Sequence, residues 1–242
     1  MKIKILSDNT VYHDGLLAEH GLSIWFEYGN QRYLFDTGQG HVLNHNAKQM
    51  NIDFKKLEGV IISHDHDDHS GGLQELLQDR PELKVIAHPK IIKNHDIIKN
   101  RDPIETPSEL TENVWLTGEI PIKGKNFTKK KYKKAAETEN IIFIKSKKGL
   151  IVLTGCSHPG IINVLDYIHD ITEGEKIYAV IGGMHLINKG KQELNEIISK
   201  MNEYHIEKMF PLHCTGINAM HQLLNNFDGE VLLTGVGEEM EM

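Results

Sequence analysis

The sequence feature that most constrains the fold of this chain is a recurring pattern. In this pattern a short apolar run ends in a side chain that can bind metal, usually beside glycine. Short apolar runs are typical of buried strands. In layered α/β folds, loops converge at the ends of strands and form sites there. The pattern therefore predicts an α/β chain whose strand ends deliver ligands to a site. These side chains are Asp36, His64, His158, His185 and His213.

The alternation of strands and helices along the chain also indicates an α/β fold. Hairpins are predicted where two apolar runs flank a glycine-containing turn, and helices where apolar residues recur at helical spacing. Residues 88–113 show only a weak pattern. The predicted hairpins pair residues 22–28 with 32–36 and 141–145 with 150–153; further strands lie at 1–7, 59–63, 84–87, 114–117, 178–181 and 209–212, and helices within 39–50, from 73 to near 81, at 161–171 and at 194–204.

Composition excludes several classes of protein. The 242 residues contain no repeat or linker, which predicts one domain spanning 1-242. A net charge of -7 offers no basic field for nucleic acid or an anionic membrane. Residues 1–7 read as a strand and not as a signal peptide. We therefore expect a soluble, cytoplasmic protein with a small-molecule substrate, no nucleic-acid partner and no membrane partner; the sequence leaves open whether it forms a homo-oligomer.

One short segment, residues 64–69, concentrates metal donors. Three imidazoles and a carboxylate follow a buried strand within one loop, which is unusual for an ordinary polar loop. Zinc accepts both kinds of donor, and iron and manganese accept them too. We therefore predict one or two divalent metal ions, with zinc favoured, and expect later ligands to complete the site. The candidate ligands are His64, His66, Asp68, His69, Cys156, His158, His185 and His213.

Residues 63–69 resemble the signature of the metallo-β-lactamase superfamily, His-x-His-x-Asp-His at the end of a strand, and all four pattern residues match. Asp36 resembles an earlier aspartate that braces the metal loop in this family, and His213 resembles its final histidine. The resemblance extends from about residue 20 to residue 216. It implies a four-layer αββα sandwich, in which helices flank two β-sheets and the metals lie at one edge.

Three further segments, residues 16–24, 155–161 and 182–186, resemble a subgroup usually described only as metal-dependent hydrolases. Some of its members carry the name dihydropterin-ribofuranosyl-aminobenzene phosphate synthase. The chain departs from the superfamily at Gly155-Cys156-Ser157-His158, where an aspartate normally bridges two metals. Cys156 could supply a thiolate, His158 could act as the middle histidine, or a second metal could bind weakly. We favour His158 over Cys156 and rank His185 below both.

The functional hypothesis is a metal-bound hydroxide acting on a small, anionic phosphoester, lactone or thioester. Asp68 is the candidate catalytic residue, because it can orient the water or accept a proton. Two alternatives remain: a pterin or ribosyl-phosphate synthase or transferase using the same metal site, and a non-catalytic metal-binding protein. In the hypothesis, one metal is held by His64, His66 and His158 and the other by Asp68, His69 and His213.

Two other features have an ordinary structural interpretation beside a functional one. The lysine-rich segment 123–134 is either a lid that attracts an anionic substrate or, more often for such runs, a solvated face. His88 follows a predicted strand, but an ordinary turn is the better interpretation.

Overall fold

The computed structural model describes residues 1–121 and 138–242, so the lysine-rich segment 123–134 lies outside the described residues. The described residues form two compact units. Unit 1 comprises Met1–Glu105 and Thr234–Met242, and unit 2 comprises Thr106–Leu233. The assignment of 1-242 to one domain stays a prediction.

Unit 1 is built on a seven-stranded mixed sheet with short helices. One turn of 3-10 helix at Phe54–Lys56 precedes the fourth strand. The elements are β1 (Lys2–Ser7), β2 (Ser23–Tyr28), β3 (Gln31–Phe35), α1 (Leu43–Gln49), β4 (Gly59–Ile61), α2 (Asp67–Ser70), α3 (Leu73–Asp79), β5 (Lys84–Ala87), α4 (Pro89–Asn94), β6 (Arg101–Pro103) and, near the end of the chain, β14 (Glu239–Glu241).

The strand order of this sheet is β14-β1-β2-β3-β4-β5-β6. The predicted hairpin of β2 and β3 is confirmed, and its turn passes through Gly29 with φ 61°. Strands β3, β4, β5 and β6 run parallel, with Phe35 opposite Ile61. Parallel neighbours end at the same edge of a sheet, so the residues that follow β3 and β4 lie side by side.

The core of unit 1 lies between this sheet and its helices. Leu34 and Val60 from the strands pack in one buried cluster with Leu43 of α1 and with Leu73 and Leu77 of α3. Burying a side chain of this size contributes about 1.5–3 kcal/mol relative to leaving it exposed. The cluster therefore fixes α3, and with it the loop before α3, against the ends of the strands.

Unit 2 repeats this plan with a second seven-stranded mixed sheet and longer helices. A short 3-10 helix, His213–Thr215, follows its sixth strand. The elements are β7 (Ser108–Thr111), β8 (Val114–Leu116), β9 (Ile142–Ser146), β10 (Gly149–Thr154), α5 (Ile161–Ile171), β11 (Ile177–Gly183), α6 (Lys191–Asn202), β12 (Lys208–Leu212), α7 (Ile217–Asn226) and β13 (Glu230–Val231).

The strand order in unit 2 is β13-β12-β11-β10-β9-β8-β7. Strands β7 to β10 pair antiparallel, which confirms the predicted hairpin of β9 and β10. Strands β10, β11, β12 and β13 are parallel. Val164 and Leu165 of α5, Ile198 of α6 and Leu223 of α7 pack in one buried cluster with Val180 of β11. The loops after β10, β11 and β12 therefore lie at one edge of the sheet.

The structure differs from the predicted elements mainly where apolar patterning is short or absent. The helix expected within 39–50 begins only at Leu43, because Gly38 and Gly40 have positive φ values of 61° and 92°. Strand β6 is mostly exposed, so it carries little apolar pattern. Helices α4 and α7 were not predicted. Within the described ranges, no helix has the length and apolar character needed to cross a membrane.

Candidate metal centre

Four non-glycine residues at the strand ends have a left-handed backbone. They are Asp36 with φ 60°, Ser157 with φ 61°, His185 with φ 52° and His213 with φ 49°. An L-residue in this region costs about 1–2 kcal/mol relative to the right-handed region. Such strain persists only where the surroundings enforce it, and it concentrates at functional sites. Each of these residues is a predicted site residue or directly follows one in the chain.

In unit 1, the carboxylate of Asp36 organises the histidine loop. It is fully buried and accepts hydrogen bonds from the Ser63 backbone N–H at 2.7 Å, from the Ser63 hydroxyl at 2.7 Å and from His69 Nδ1 at 2.6 Å. A carboxylate can only accept, so His69 carries its proton on Nδ1. His69 Nε2 is then the unprotonated nitrogen, the kind that binds the metal in the carboxylate–histidine arrangement of many metal sites.

The same network sets the orientation of His64. The Ser63 hydroxyl donates to Asp36, so Ser63 Oγ accepts a hydrogen bond from His64 Nδ1 at 2.9 Å. His64 Nε2 is then an acceptor, and it lies 3.0 Å from His66 Nδ1. The His64 ring centroid is 4.6 Å from that of His66 and 4.1 Å from that of His69. The structure thus brings the three predicted imidazoles of unit 1 together.

Asp68, the predicted catalytic residue, is held by a second network. Its carboxylate lies 3.3 Å from His20 Nε2, and Asn9 Nδ2 lies 3.2 Å from His20 Nδ1. Because the asparagine amide donates, His20 Nδ1 accepts and His20 Nε2 carries the proton towards Asp68. The backbone carbonyl of Asp68 also accepts from Leu22 N at 3.0 Å. A half-buried carboxylate fixed in this way can hold a water or a proton.

Asp65 is the one acidic residue of the segment that is turned towards α4. It accepts hydrogen bonds from His95 Nε2 at 2.6 Å and from Asn94 Nδ2 at 2.7 Å. The hydrogen bond from His95 holds the pKa of Asp65 below its usual value, and the pKa of His95 is raised by the same contact. Asp65 therefore anchors the loop to α4.

In unit 2, one buried carboxylate holds the loop that follows β10. Glu139 Oε1 accepts from the backbone N–H groups of Cys156 at 2.8 Å and Ser157 at 2.7 Å, and Glu139 Oε2 accepts from His158 N at 2.6 Å. Three consecutive N–H groups thus point at one side chain that is 1% exposed. This cradle fixes Cys156 and His158, two predicted ligands.

The sulfur of Cys156 lies among the other donors of unit 2. It is within 4.8 Å of a ligand atom of each of His158, His185, His213 and Cys214. The rings of His158 and His185 are also neighbours, with centroids 4.4 Å apart. The predicted ligands of unit 2 therefore form one cluster.

His185 and Cys214 are neighbours that shift each other's pKa. His185 Nδ1 is buried and has no hydrogen-bond partner within residues 1–121 and 138–242. A side-chain hydrogen bond with Cys214 raises the pKa of His185. Burial opposes ionisation of the Cys214 thiol, but hydrogen bonds with Cys156 and His185 outweigh it, so the pKa of Cys214 lies well below its usual value.

These donors fit a divalent ion. Zinc binds thiolate at about 2.3 Å and imidazole at about 2.0–2.1 Å, so two ligands of one ion lie less than about 4.6 Å apart. In unit 2, ligand atoms of Cys156, His185 and Cys214 all lie within 4.8 Å of one another, close enough for small shifts to bring them onto one ion. In unit 1, the tautomers of His64 and His69 leave Nε2 lone pairs of the kind that a metal requires.

Several residues of these networks were not found from the sequence. Glu139 lies outside any motif and far from Cys156 in the chain, so no local signal marks it. His20 lies in the segment 16–24 that resembles the subgroup, but the sequence assigns it no role. Cys214, which directly follows His213, carried a signal in that adjacency. His88 is buried and accepts a hydrogen bond from Lys90 N at 3.2 Å at the start of α4, which supports its ordinary structural interpretation.

A cavity of about 370 Å³ opens in unit 2 beside this cluster. His158 and His185 line it where the loops after β10 and β11 meet, and Lys189 and Lys200 add positive charge. The first turn of α5 also faces the cavity and has no side-chain cap. Uncapped N–H groups at a helix N-terminus attract anions.

Comparison with known proteins gives matches along most of the chain. The sequence profile of the metallo-beta-lactamase superfamily matches residues 17–165. A 7,8-dihydropterin-6-methyl-4-(beta-D-ribofuranosyl)-aminobenzene-5'-phosphate synthase of Methanocaldococcus jannaschii is 31% identical over 92% of this chain and 90% of the relative. An uncharacterised protein of the same organism is 33% identical over 93% of this chain and 95% of its own length.

Solved structures match over nearly the whole chain. A metal-dependent hydrolase of the β-lactamase superfamily is 30% identical, with a TM-score of 0.84, and the match covers 100% of this chain and 99% of that one. A metallo-beta-lactamase fold protein from Bacillus subtilis, YhfI, is 16% identical with a TM-score of 0.66, covering 99% of both chains. At that identity the likeness concerns the fold alone.

Proposed function

Because this chain belongs to the metallo-β-lactamase superfamily, we propose that it is a metal-dependent hydrolase acting on a small, anionic ester. The predicted fold class, the α/β metallo-β-lactamase fold, is confirmed by the two mixed sheets and by the solved structures. The proposed substrate classes are phosphoesters, lactones and thioesters. The proposed cofactor is one or two divalent ions, zinc in the first place.

The observation that carries the proposal is the buried carboxylate of Asp36. Through Ser63 and directly, it fixes the tautomers of His64 and His69, so that both imidazoles present a lone pair on Nε2. In a loop that binds no metal, fixing the tautomers of two imidazoles would serve no purpose. The proposed ligands remain His64, His66, Asp68, His69, Cys156, His158, His185 and His213.

A bound divalent ion supplies a water of lowered pKa and a Lewis acid for the ester carbonyl or phosphoryl oxygen. The chain's own contribution is positional. In this proposal Asp68, whose carboxylate lies 3.3 Å from His20 Nε2, would orient a water molecule or accept a proton. Asp36 keeps the histidines of the loop in one tautomer.

The cavity in unit 2 supports a small, anionic substrate. Its volume of about 370 Å³ lies at the lower end of the range for small-molecule sites. Lys200 and the uncapped first turn of α5 are complementary to negative charge, whereas Lys189 is paired with Glu193 and Asp166 opposes an anion. On a chain of net charge -7, Lys200 and the helix N-terminus are the groups of this cavity that favour an anionic ligand.

A second candidate is a synthase or transferase acting on a pterin or a ribosyl phosphate. It is favoured by the name of the Methanocaldococcus jannaschii relative, which is 31% identical over 92% of this chain. A shared fold does not fix the reaction. The two candidates differ in one requirement, because a hydrolase turns over one substrate with water and a synthase needs a second substrate.

The test is metal analysis of protein purified without added metal, combined with a panel of phosphomonoesters, phosphodiesters, lactones and thioesters. We expect one or two equivalents of metal and turnover that a chelator abolishes. His66→Ala should lose metal and activity together. The control is His221→Ala, on an exposed position of α7, which should change neither.

Turnover that survives chelation, or a His66→Ala variant with unchanged metal content, would contradict the proposal. Metal binding with no turnover of any ester, but with product formed when pterin and ribosyl-phosphate substrates are supplied together, would establish the synthase instead. Metal binding without either activity would indicate a non-catalytic metal-binding protein.

A further inference from the structure

We propose that this chain forms a homodimer through the outer face of helix α7 in unit 2, with the two copies of the helix packed antiparallel about a two-fold axis. The proposal rests on three properties of this face: its exposed apolar side chains, its lack of charge and its symmetry. The proposed hydrolysis requires no dimer, so the two proposals are independent of each other.

The outer face of α7 exposes large apolar side chains along one line. Ile217 is 81% exposed and Leu224 is 48% exposed. The opposite side of the helix carries Ala219 and Leu223, which are buried in the core of unit 2. Residues separated by four and seven positions lie on one side of a helix, so Ile217, His221 and Leu224 form one line, the α7 stripe. Apolar residues aligned in this way are typical of a helix that packs against a partner.

Ile187 extends the apolar surface at the N-terminal end of α7. It is 45% exposed, and its backbone N–H donates to Cys214 O at 3.1 Å in the loop that leads into the helix. Its side chain packs on the backbone of Gly216, where an added Cβ would lie 2.7 Å from Ile187 Cγ1. Because Gly216 directly precedes Ile217, the apolar surface continues from the α7 stripe onto the loop after β11.

The charge of this face favours a second copy of the chain as its partner. Helix α7 contains no Asp, Glu, Lys or Arg, although these residues make up 25% of the chain. Two copies of net charge -7 repel each other, and they approach at the lowest cost where neither presents a charge. The centres of protein interfaces are depleted of charged residues in the same way. A partner attracted by opposite charge would find no charge on α7 to pair with.

The order of side chains along the α7 stripe fits a two-fold axis. In a two-fold interface, residue i of one copy contacts residue j of the other, and j contacts i. The stripe reads apolar, imidazole, apolar from either end, so an antiparallel copy places Ile217 against Leu224 of the partner subunit. His221 then lies near the axis. Asn218 and Asn225, each directly after an apolar residue of the stripe, add neutral amides at the sides of the contact.

Charged side chains lie beside the α7 stripe and not on it. A cavity of about 390 Å³ runs along one side of α7, and Asn218, His221 and Gln222 line it from this helix. Lys189 and Lys191 line the same cavity from the beginning of α6. A neutral centre with a polar rim is the usual anatomy of a protein interface.

The experiment is sedimentation velocity of the full chain over a range of concentrations. Helix α7 has 10 residues and spans about 15 Å, so the contact is small and we expect a dimer that dissociates at micromolar concentrations. Ile217→Asp and Leu224→Lys should each raise the dissociation constant at least about tenfold, since each places a charge in the centre of the contact. The matched control is Leu17→Asp, at a position of unit 1 that is 47% exposed, and it should leave the dissociation constant unchanged.

A mixture of Ile217→Asp and Leu224→Lys tests the antiparallel arrangement. In an antiparallel pair, the introduced carboxylate meets the introduced ammonium, and the second contact between Ile217 and Leu224 stays intact. The mixture should therefore form dimers at concentrations where each variant alone is monomeric. In a parallel pair the two introduced charges do not meet, and mixing would restore nothing.

Both substitutions lie at exposed positions, so we expect the variants to fold, and far-ultraviolet circular dichroism checks this. A protein that sediments as a monomer at every concentration would overturn the proposal. A dimer that Ile217→Asp leaves intact, or that Leu17→Asp weakens equally, would also overturn it, because the contact would then lie elsewhere. Failure of the mixed variants to pair would refute the antiparallel arrangement.

Discussion

Each unit uses one buried carboxylate to fix its donors, but the two carboxylates hold different parts of the chain. In unit 1, Asp36 accepts from two side chains, the Ser63 hydroxyl and His69 Nδ1, as well as from the Ser63 backbone N–H. In unit 2, Glu139 accepts from three consecutive backbone N–H groups beginning at Cys156. Asp36 therefore controls which nitrogen of an imidazole carries the proton, whereas Glu139 controls where a loop lies.

Because of this difference, substitutions of the two carboxylates should have different effects. Losing Glu139 leaves buried N–H groups without an acceptor, and that cost falls on folding. Weakening Asp36 changes the tautomers that the loop presents, and that cost falls mainly on metal affinity. Stability and metal binding are thus separate readouts for the two units.

The largest expected effect is on the stability of Glu139→Ala. The substitution orphans the N–H groups of residues 156–158, each of which costs about 1–3 kcal/mol when buried and unsatisfied. We expect the free energy of unfolding of the metal-free protein, measured in urea, to fall by at least about 3 kcal/mol.

The matched control is Glu175→Ala in the same unit. Glu175 forms a partly exposed ion pair with Lys145, and such pairs contribute about 0–1 kcal/mol. If Glu139→Ala and Glu175→Ala lost similar amounts of stability, the proposed role of Glu139 in anchoring the backbone would be contradicted.

A smaller effect is expected for Asp36→Asn, and it should appear in metal binding. In either orientation the amide nitrogen of Asn faces a donor, the Ser63 N–H on one side or the Ser63 hydroxyl and His69 Nδ1 on the other, so the network that fixes the His69 tautomer is weakened. Losing such a partner typically costs 10–100-fold in metal affinity. Competition with a chromophoric chelator measures this loss of affinity. In Glu139→Gln, measured under the same conditions, the loss of stability should outweigh the loss of metal affinity.

The smallest effect is expected for Glu19→Gln, which separates burial from hydrogen-bond number. Like Glu139, Glu19 accepts from three consecutive backbone N–H groups, those of Gln39, Gly40 and His41, but it is only half buried. Water can replace part of what is lost, so we expect about 1 kcal/mol by urea unfolding. A loss equal to that of Glu139→Ala would show that hydrogen-bond number, and not burial, sets the cost.

The sequence predicted the fold of this chain well because its strands are short, apolar and bounded by glycine. The hairpin of β2 and β3, strand β5 and helix α5 all lie where the patterns put them. Helix α7 was missed although its apolar residues recur at helical spacing. Strand β6 was missed because its polar, largely exposed residues carry no strand pattern, and tertiary context decides such a segment.

The candidate site also has a part that the sequence predicts and a part that it does not. The donors of unit 1 are contiguous from His64 to His69, so one motif reveals them together. Glu139 and Cys214 are brought to the unit 2 cluster by pairing between distant strands. Nothing near Glu139 in the chain indicates that role, and Cys214 is marked by its adjacency to His213 alone. The assignment of all these side chains as metal ligands stays a prediction.

The pairing of β1 with β14 has a consequence for biosynthesis. Lys2 lies opposite Glu241 in this sheet, so unit 1 uses the beginning and a much later part of the chain, with all of unit 2 between them. At 5–20 residues per second, a ribosome needs on the order of ten seconds to make that intervening stretch. During this time the outer edge of β1 lacks its partner, and an unpaired strand edge invites wrong partners. A chaperone should therefore protect mainly those nascent chains in which this edge of β1 is exposed.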